Sequence, residues 1–187
     1  MKFSTVAASA VVALAPFASA APHMKRAPIC DLSDLSGLTL TATGDSSGKV
    51  RWNIFQEPNF GIQSGTVAFL FQSQPDGPSK FRAIGSTNGP DIFTFQSTFN
   101  NQQVLATDNG FEGSDSSGTE FLVTCSQCNT DVVDNQLAAN GCKMEITDGN
   151  GNGTGKCASW PTGSNVPVEI ADCDDTVNQQ MGVFAAF

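Results

Sequence analysis

The chain has 187 residues, with 18 Asp and Glu against nine Lys and Arg and a single histidine. Once the first 26 residues are set aside, six basic side chains (Lys49, Arg51, Lys80, Arg82, Lys143 and Lys156) face all 18 acidic ones, a net charge of −12. Such a surface suits neither nucleic acid nor an anionic membrane, which need clustered cations, and the remaining length is that of one domain with its own core.

The start of the chain reads as a processed leader. Lys2 precedes an apolar run at 6–15, far short of the roughly 20 residues that cross a bilayer. Ala18-Ser19-Ala20 follows as a small-x-small cleavage site. Residues 1–20 are therefore expected to be a signal peptide. Lys25-Arg26 closes a propeptide at 21–26, a dibasic pair of the kind that kexin-type proteases cut, and the arrangement is fungal in style. The expected mature protein is one secreted, extracellular β-rich domain over residues 27–187. The only histidine, His23, leaves with the propeptide. Ser-His-Asp triads, Cys-His dyads and His-ligated metals are then unavailable to the mature chain; no cofactor or metal is expected, and carboxylate-only chemistry survives the filter.

From residue 38 onward, short runs of strand character alternate with Gly, Asn, Asp and Ser punctuation. They fall at 38–43, 50–55, 66–72, 80–84, 91–98, 103–107, 119–125, 142–147, 156–160, 166–172 and 181–187, about eleven strands. Residues 108–118 read as a polar, glycine-rich loop. Residues 131–140 (DVVDNQLAAN) open on a possible N-cap and stop at Gly141, the pattern of a short helix. The series predicts an all-β fold, a trefoil-like domain with a β-sandwich as the alternative. The twelve phenylalanines after residue 26 read as core filling, as where Phe93 and Phe95 share one strand face. Tyr is absent and Trp occurs only at 52 and 160, a scarcity of half-wet rings that counts against sugar stacking.

Six cysteines remain after residue 26: Cys30, Cys125, Cys128, Cys142, Cys157 and Cys173. In a secreted chain an even number implies up to three disulfides. Cys157 and Cys173 flank one hairpin-like segment and form the best pair. Cys125-x-x-Cys128 lacks the context of a redox motif or a zinc ribbon, so one of the two is expected to reach Cys142 and the other Cys30. The loop DGNGNGTG at 148–155 matches the start of an EF-hand, but Lys156 and Ser159 occupy its ninth and twelfth positions, so a hairpin is predicted. The same loop holds the sequon Asn152-Gly153-Thr154, an expected glycosylation site. Asp172, Asp174 and Asp175 read as solvent-facing carboxylates.

The stretch 155–181, GKCASWPTGSNVPVEIADCDDTVNQQM, resembles a repeat of the ricin B-type β-trefoil lectins. Cys157 opens the repeat, residues 168–170 form its strand, Cys173 closes it, and Gln179-Gln180-Met181 stands for the family's Gln-x-Trp. The resemblance implies a lectin-like, carbohydrate-binding fold with Asn178 and Gln179 as ligand-binding residues. The family's sugar-binding aspartate is Ser159 here and its aromatic platform is Ala171, so the repeat looks disabled for that mode of binding. Asn178 and Gln179 can equally serve backbone groups at a turn.

Three functions follow. The first is a non-catalytic binding protein of lectin-like fold acting on glycans, cell-wall polysaccharide or an extracellular protein. The second is an effector, antigen or inhibitor acting through its surface. The third is a small glycoside hydrolase using two of Glu57, Glu112, Glu120, Glu145 and Glu169.

Overall fold

The computed structural model describes residues 30–186 apart from 34, 59, 60 and 130. The expected signal peptide, His23 and the expected Lys25-Arg26 processing site lie outside the described residues. Fourteen strands follow in order. The first four are β1 (Leu38–Ala42), β2 (Val50–Ile54), β3 (Val67–Phe71) and β4 (Phe81–Ser86). The next five are β5 (Gly89–Ser97), β6 (Gln103–Thr107), β7 (Gly110–Ser114), β8 (Phe121–Thr124) and β9 (Gln127–Cys128). The last five are β10 (Leu137–Thr147), β11 (Gly153–Ser159), β12 (Val166–Pro167), β13 (Glu169–Asp172) and β14 (Met181–Ala185).

The pairings return on themselves: β1 meets β4, β4 meets β5, β5 meets β8, β8 meets β10, β10 meets β14, and β14 meets β1. The ring is stitched unevenly, with six paired residues between β4 and β5 but only Leu38↔Phe81 between β1 and β4. Three hairpins, β2–β3, β6–β7 and β11–β13, complete three four-strand units. This is an all-β, trefoil-like domain. The strands pair in one continuous sheet, which sets the sandwich aside.

The three units share a register that their sequences barely show. The fourth strands begin at Phe81, Phe121 and Met181, all fully buried. Their partners across the ring are Ser97, Ile146 and Ala42. Two residues further along, Ala83, Val123 and Val183 pair with Phe95, Met144 and Leu40. These layers of inward side chains alternate along each strand with the period of two that a half-buried sheet requires. At the end of each first strand stands a threonine whose N–H donates to the carbonyl just before the buried residue: Thr43 to Gln180 at 3.0 Å, Thr98 to Lys80 at 2.9 Å, and Thr147 to Glu120 at 3.0 Å.

Trp52 sits among Phe69, Phe95, Phe111 and Phe121 with ring centroids 6.0–6.4 Å apart, mostly edge-to-face as aromatic quadrupoles favour. The cysteines form Cys30–Cys128, Cys125–Cys142 and Cys157–Cys173. The first ties the start of the described chain to β9, the second joins β8 to β10, and the third closes β11 onto β13.

Three expectations are corrected. Residues 131–140 are not helical. Asp131 and Asn135 have φ of 59° and 61°, which a right-handed helix excludes, and Leu137 and Ala139 pair with Phe184 and Val183. Tertiary pairing outweighs the local helix signal here. The supposed loop at 108–118 contains β7, which pairs with β6 from Gln103↔Ser114 to Thr107↔Gly110; Asp108 and Asn109 make the turn, and Gly110 opens β7 at a φ of 118°. The phenylalanines are not all core, since Phe71 is 53% and Phe99 60% exposed. The segment 148–155 does close a β10–β11 hairpin, with Asp148 Oδ1 accepting from the N–H groups of Asn150 and Asn152 at 2.8 and 3.1 Å. The Asn152 side-chain amide and these N–H groups hold the Asp148 carboxyl below its ordinary value.

Equivalent junctions exchange large and small residues. A Cβ on Gly77 would meet Phe99 Cδ2 at 2.6 Å, and one on Gly44 would meet Trp160 Cζ3 at 2.9 Å and Val177 Cγ2 at 3.5 Å. Gly77 and Val177 both stand four residues before the buried first residue of a fourth strand, and Gly44 and Phe99 both follow the shared threonine. Gly77→Val is expected to destabilise by about 1–2 kcal/mol through overpacking. Phe99→Gly in the same chain should restore part of it, giving a coupling of about 0.5–1 kcal/mol in a double-mutant cycle by urea unfolding.

Candidate functional site

In the third unit the predicted residues come together as a structural bridge. Gln179 ends the 3₁₀ turn Val177–Gln179 and is 2% exposed. Its Oε1 accepts from the Asp174 N–H at 2.8 Å and its Nε2 donates to the Asp172 carbonyl at 2.7 Å. Both ends of the amide are thus used inside the protein. Asn178 offers its backbone carbonyl to the Trp160 N–H at 2.8 Å. Ser159 and Ala171 lie on the paired strands β11 and β13, where Ala171 faces Cys157 and Ser159 faces Glu169. Ala171 leaves the family's platform position without a ring, and Trp160, next to Ser159, is buried. Gln179→Ala removes both part-buried hydrogen bonds of the amide and is expected to cost about 1–3 kcal/mol in thermal or urea unfolding.

The other two units use different chemistry at the same place. Ser79 Oγ accepts from the Asp76 N–H and donates to the Asp76 carbonyl, both at 3.0 Å. Thr119 Oγ1 accepts from the Ala106 N–H at 2.7 Å. A side chain that binds backbone two residues before the buried Phe or Met is therefore common to all three.

The first unit holds a more open constellation. Counted back ten residues from Phe81, Phe71 stands where Ala171 stands relative to Met181. Its ring is half exposed, with Lys49 Nζ 5.9 Å from the centroid. The next residue, Gln72, is nearly buried, donates from Nε2 to Asp76 Oδ2 at 2.6 Å, and accepts at its carbonyl from Arg51 Nη1 at 2.5 Å. Asp76 also accepts from Asn53 Nδ2 at 3.4 Å and from the Ser79 N–H at 3.2 Å. Gln72 Oε1 and Arg51 Nε find no hydrogen-bond partner, an uncommon state for buried polar atoms. Burial lowers the Arg51 guanidinium from its ordinary value, with Asp76 opposing. The site combines an exposed ring, two cations and a carboxylate–amide network, with the unpartnered Gln72 Oε1 and Arg51 Nε buried beneath it. Sequence reasoning missed it by taking Phe71 as core, although the ten-residue count from Phe81 was there to be read.

Of the carboxylates considered for hydrolysis, Glu120 accepts from Ser86 Oγ at 2.5 Å and Asn88 Nδ2 at 2.9 Å, and Glu145 accepts from the Gly155 N–H at 2.7 Å. Asp108 and Glu169 line one shallow hollow of about 230 Å³, both exposed. Asp172 pairs with Lys156 and Asp175 with Lys143. The Thr176 hydroxyl and N–H hold the Asp174 carboxyl low. Among the described residues, no group of three His, Cys, Asp or Glu side chains is placed to hold a metal.

No protein-family model and no characterised protein matches the sequence. Solved structures match in fold. A mosquitocidal holotoxin aligns with a TM-score of 0.58 at 8% identity, over 82% of this chain and 18% of the toxin chain. The Rhizoctonia solani agglutinin aligns with a TM-score of 0.57 at 16% identity, over 81% of this chain and 95% of its own. The BEL β-trefoil, in an apo crystal form, aligns with a TM-score of 0.53 at 11% identity, over 85% and 98% of the two chains. The chain thus spans less than a fifth of the holotoxin chain and nearly all of the other two. At these identities the likeness is one of fold, and the shared fold is the β-trefoil.

Proposed function

We propose that this chain is a secreted, non-catalytic binding protein that recognises glycans or cell-wall polysaccharide through its first unit, with Phe71 as the stacking face. The exposed Phe71 ring beside Arg51, Gln72 and Asp76 carries the reading, because an apolar face next to fixed donors and acceptors matches a pyranose ring and its hydroxyls. The β-trefoil likeness to an agglutinin supports it. Secretion rests on the leader at 1–20 and the Lys25-Arg26 site, and the absence of histidine-dependent catalysis rests on His23 leaving with the propeptide. Asn152, exposed on the β10–β11 loop, is the proposed glycan attachment point.

The test is a broad panel of glycans and cell-wall polysaccharides probed with the oxidised chain 27–187. Specific binding is expected, weakened about tenfold or more in Phe71→Ala, the worth of one lost stacking ring, and retained in Asn178→Ala. Silence across the panel would contradict the reading and turn the search to protein partners. Binding lost in Asn178→Ala but kept in Phe71→Ala would move the site to the third unit.

A further inference from the structure

The three units depart from one another at one junction, where β14 returns to β1. At the other two junctions the shared threonine bonds twice to the carbonyl beside it. Besides its N–H, the Thr98 hydroxyl reaches Lys80 O at 3.3 Å and the Thr147 hydroxyl reaches Glu120 O at 3.2 Å. The Thr43 hydroxyl has no partner, although its N–H bonds to Gln180 O like the others. Thr39 and Thr41 share its strand face by the period of two. They are 0% and 2% exposed, and their hydroxyls are also without partners. A buried hydroxyl left unpaired is a net cost to the fold, and three in a row on one strand call for a cause.

The same junction lacks side-chain volume. The cross-strand pair Thr41↔Gly182 corresponds to Gln96↔Arg82 and Glu145↔Leu122 in the other units. With small residues on both strands here, a hollow of about 150 Å³ opens, lined by Thr41, Thr43, Leu137, Gly182 and Phe184, with Asp45 at its margin. A Cβ on Gly182 would meet Phe184 Cε2 at 3.1 Å and Leu137 Cδ1 at 3.5 Å, so the bare glycine keeps the space open. We propose that this hollow is a second binding site, for one uncharged molecule or terminal group of about benzene size that carries a hydroxyl or amide on an apolar body.

The size follows from the volume, since voids near 150 Å³ accommodate a benzene-sized body. Leu137 and the Phe184 ring supply the apolar walls. Thr41 and Thr43 supply hydrogen bonding, because one χ1 turn exchanges a threonine's methyl and hydroxyl, and neither hydroxyl gives up an internal bond by turning to the ligand. No Lys or Arg lines the hollow, and its one charged neighbour is the Asp45 carboxylate. That group already accepts from the Ser47 hydroxyl and from the N–H groups of Lys49 and Val50 at 2.6, 2.9 and 3.0 Å. An anion would therefore meet no cation and one carboxylate, which disfavours it.

The test titrates cyclohexanol and N-methylacetamide into the isotope-labelled, oxidised chain and follows its amide and methyl signals by NMR. Saturable shifts are expected at residues 41, 43, 182 and 184. Gly182→Leu, which copies Leu122, should abolish them while leaving the first unit's signals in place. Thr41→Val should weaken cyclohexanol by about fivefold or more, the worth of one hydrogen bond, while the thermal midpoint stays level or rises because an unpaired hydroxyl is gone. Shifts that grow linearly without saturation would overturn the proposal, as would equal affinity in both variants.

Discussion

Replacing Cys30 and Cys128 together by serine lowers the unfolding free energy by about 4–5 kcal/mol in chain-entropy accounting, because that disulfide spans 98 residues. The corresponding loss for Cys157 and Cys173, separated by 16 residues, is about 3 kcal/mol. Domains of this size have roughly 5–15 kcal/mol in all, so the first change removes much of the margin. The structure gives the long bridge a local task as well. Cys30 is buried with Leu32 and Leu35 against the common core, and the Ala186 N–H donates to the Gly37 carbonyl at 2.9 Å. Freeing Cys30 releases this whole entry segment from β9. Urea unfolding of both double variants checks the order; a larger loss for the short bridge would show that local packing outweighs loop entropy.

The second large effect concerns the buried residues that open the fourth strands. Phe121→Ala is expected to cost about 3–5 kcal/mol, and Phe81→Ala about the same. Phe121 packs against Trp52, Phe95 and Phe111 with centroids 5.7–6.4 Å apart, so its loss opens a cavity in the middle of the aromatic cluster. Met181→Ala costs about 2–5 kcal/mol. If the three positions are equivalent, all three substitutions fall in this range, whereas Phe71→Ala, at an exposed ring, stays within about 0.5 kcal/mol. One position tolerating alanine at no cost would break the equivalence.

What was legible in the sequence followed what each position demands. Alternation marked eleven strand runs because inward positions must be apolar. The Gln-x-Met at 179–181 was legible because glutamine satisfies an N–H and a carbonyl at once. Its counterparts, Ser79-Lys80-Phe81 and Thr119-Glu120-Phe121, were hidden because a hydroxyl stands in for the amide, with both bonds at Ser79 and the N–H alone at Thr119. Residues 131–140 misled because helix signals are local while the pairing of Leu137 and Ala139 with β14 is made across the ring. The first unit's site was obscured for another reason. In β3, Phe69 is buried and Phe71 is exposed on the same alternation, and no pattern of two distinguishes the last residue of a strand that runs out of core.

In the proposed function, ligand recognition sits in the first unit and the third unit's Asn178 and Gln179 are structural. The most direct measurement is chemical-shift mapping on the isotope-labelled chain with the best-binding glycan of the panel. The predicted result is a cluster of shifts at residues 49, 51, 71, 72 and 76, with residues 159, 171 and 178 unmoved. Shifts gathered at 159, 171 and 178 instead would contradict it.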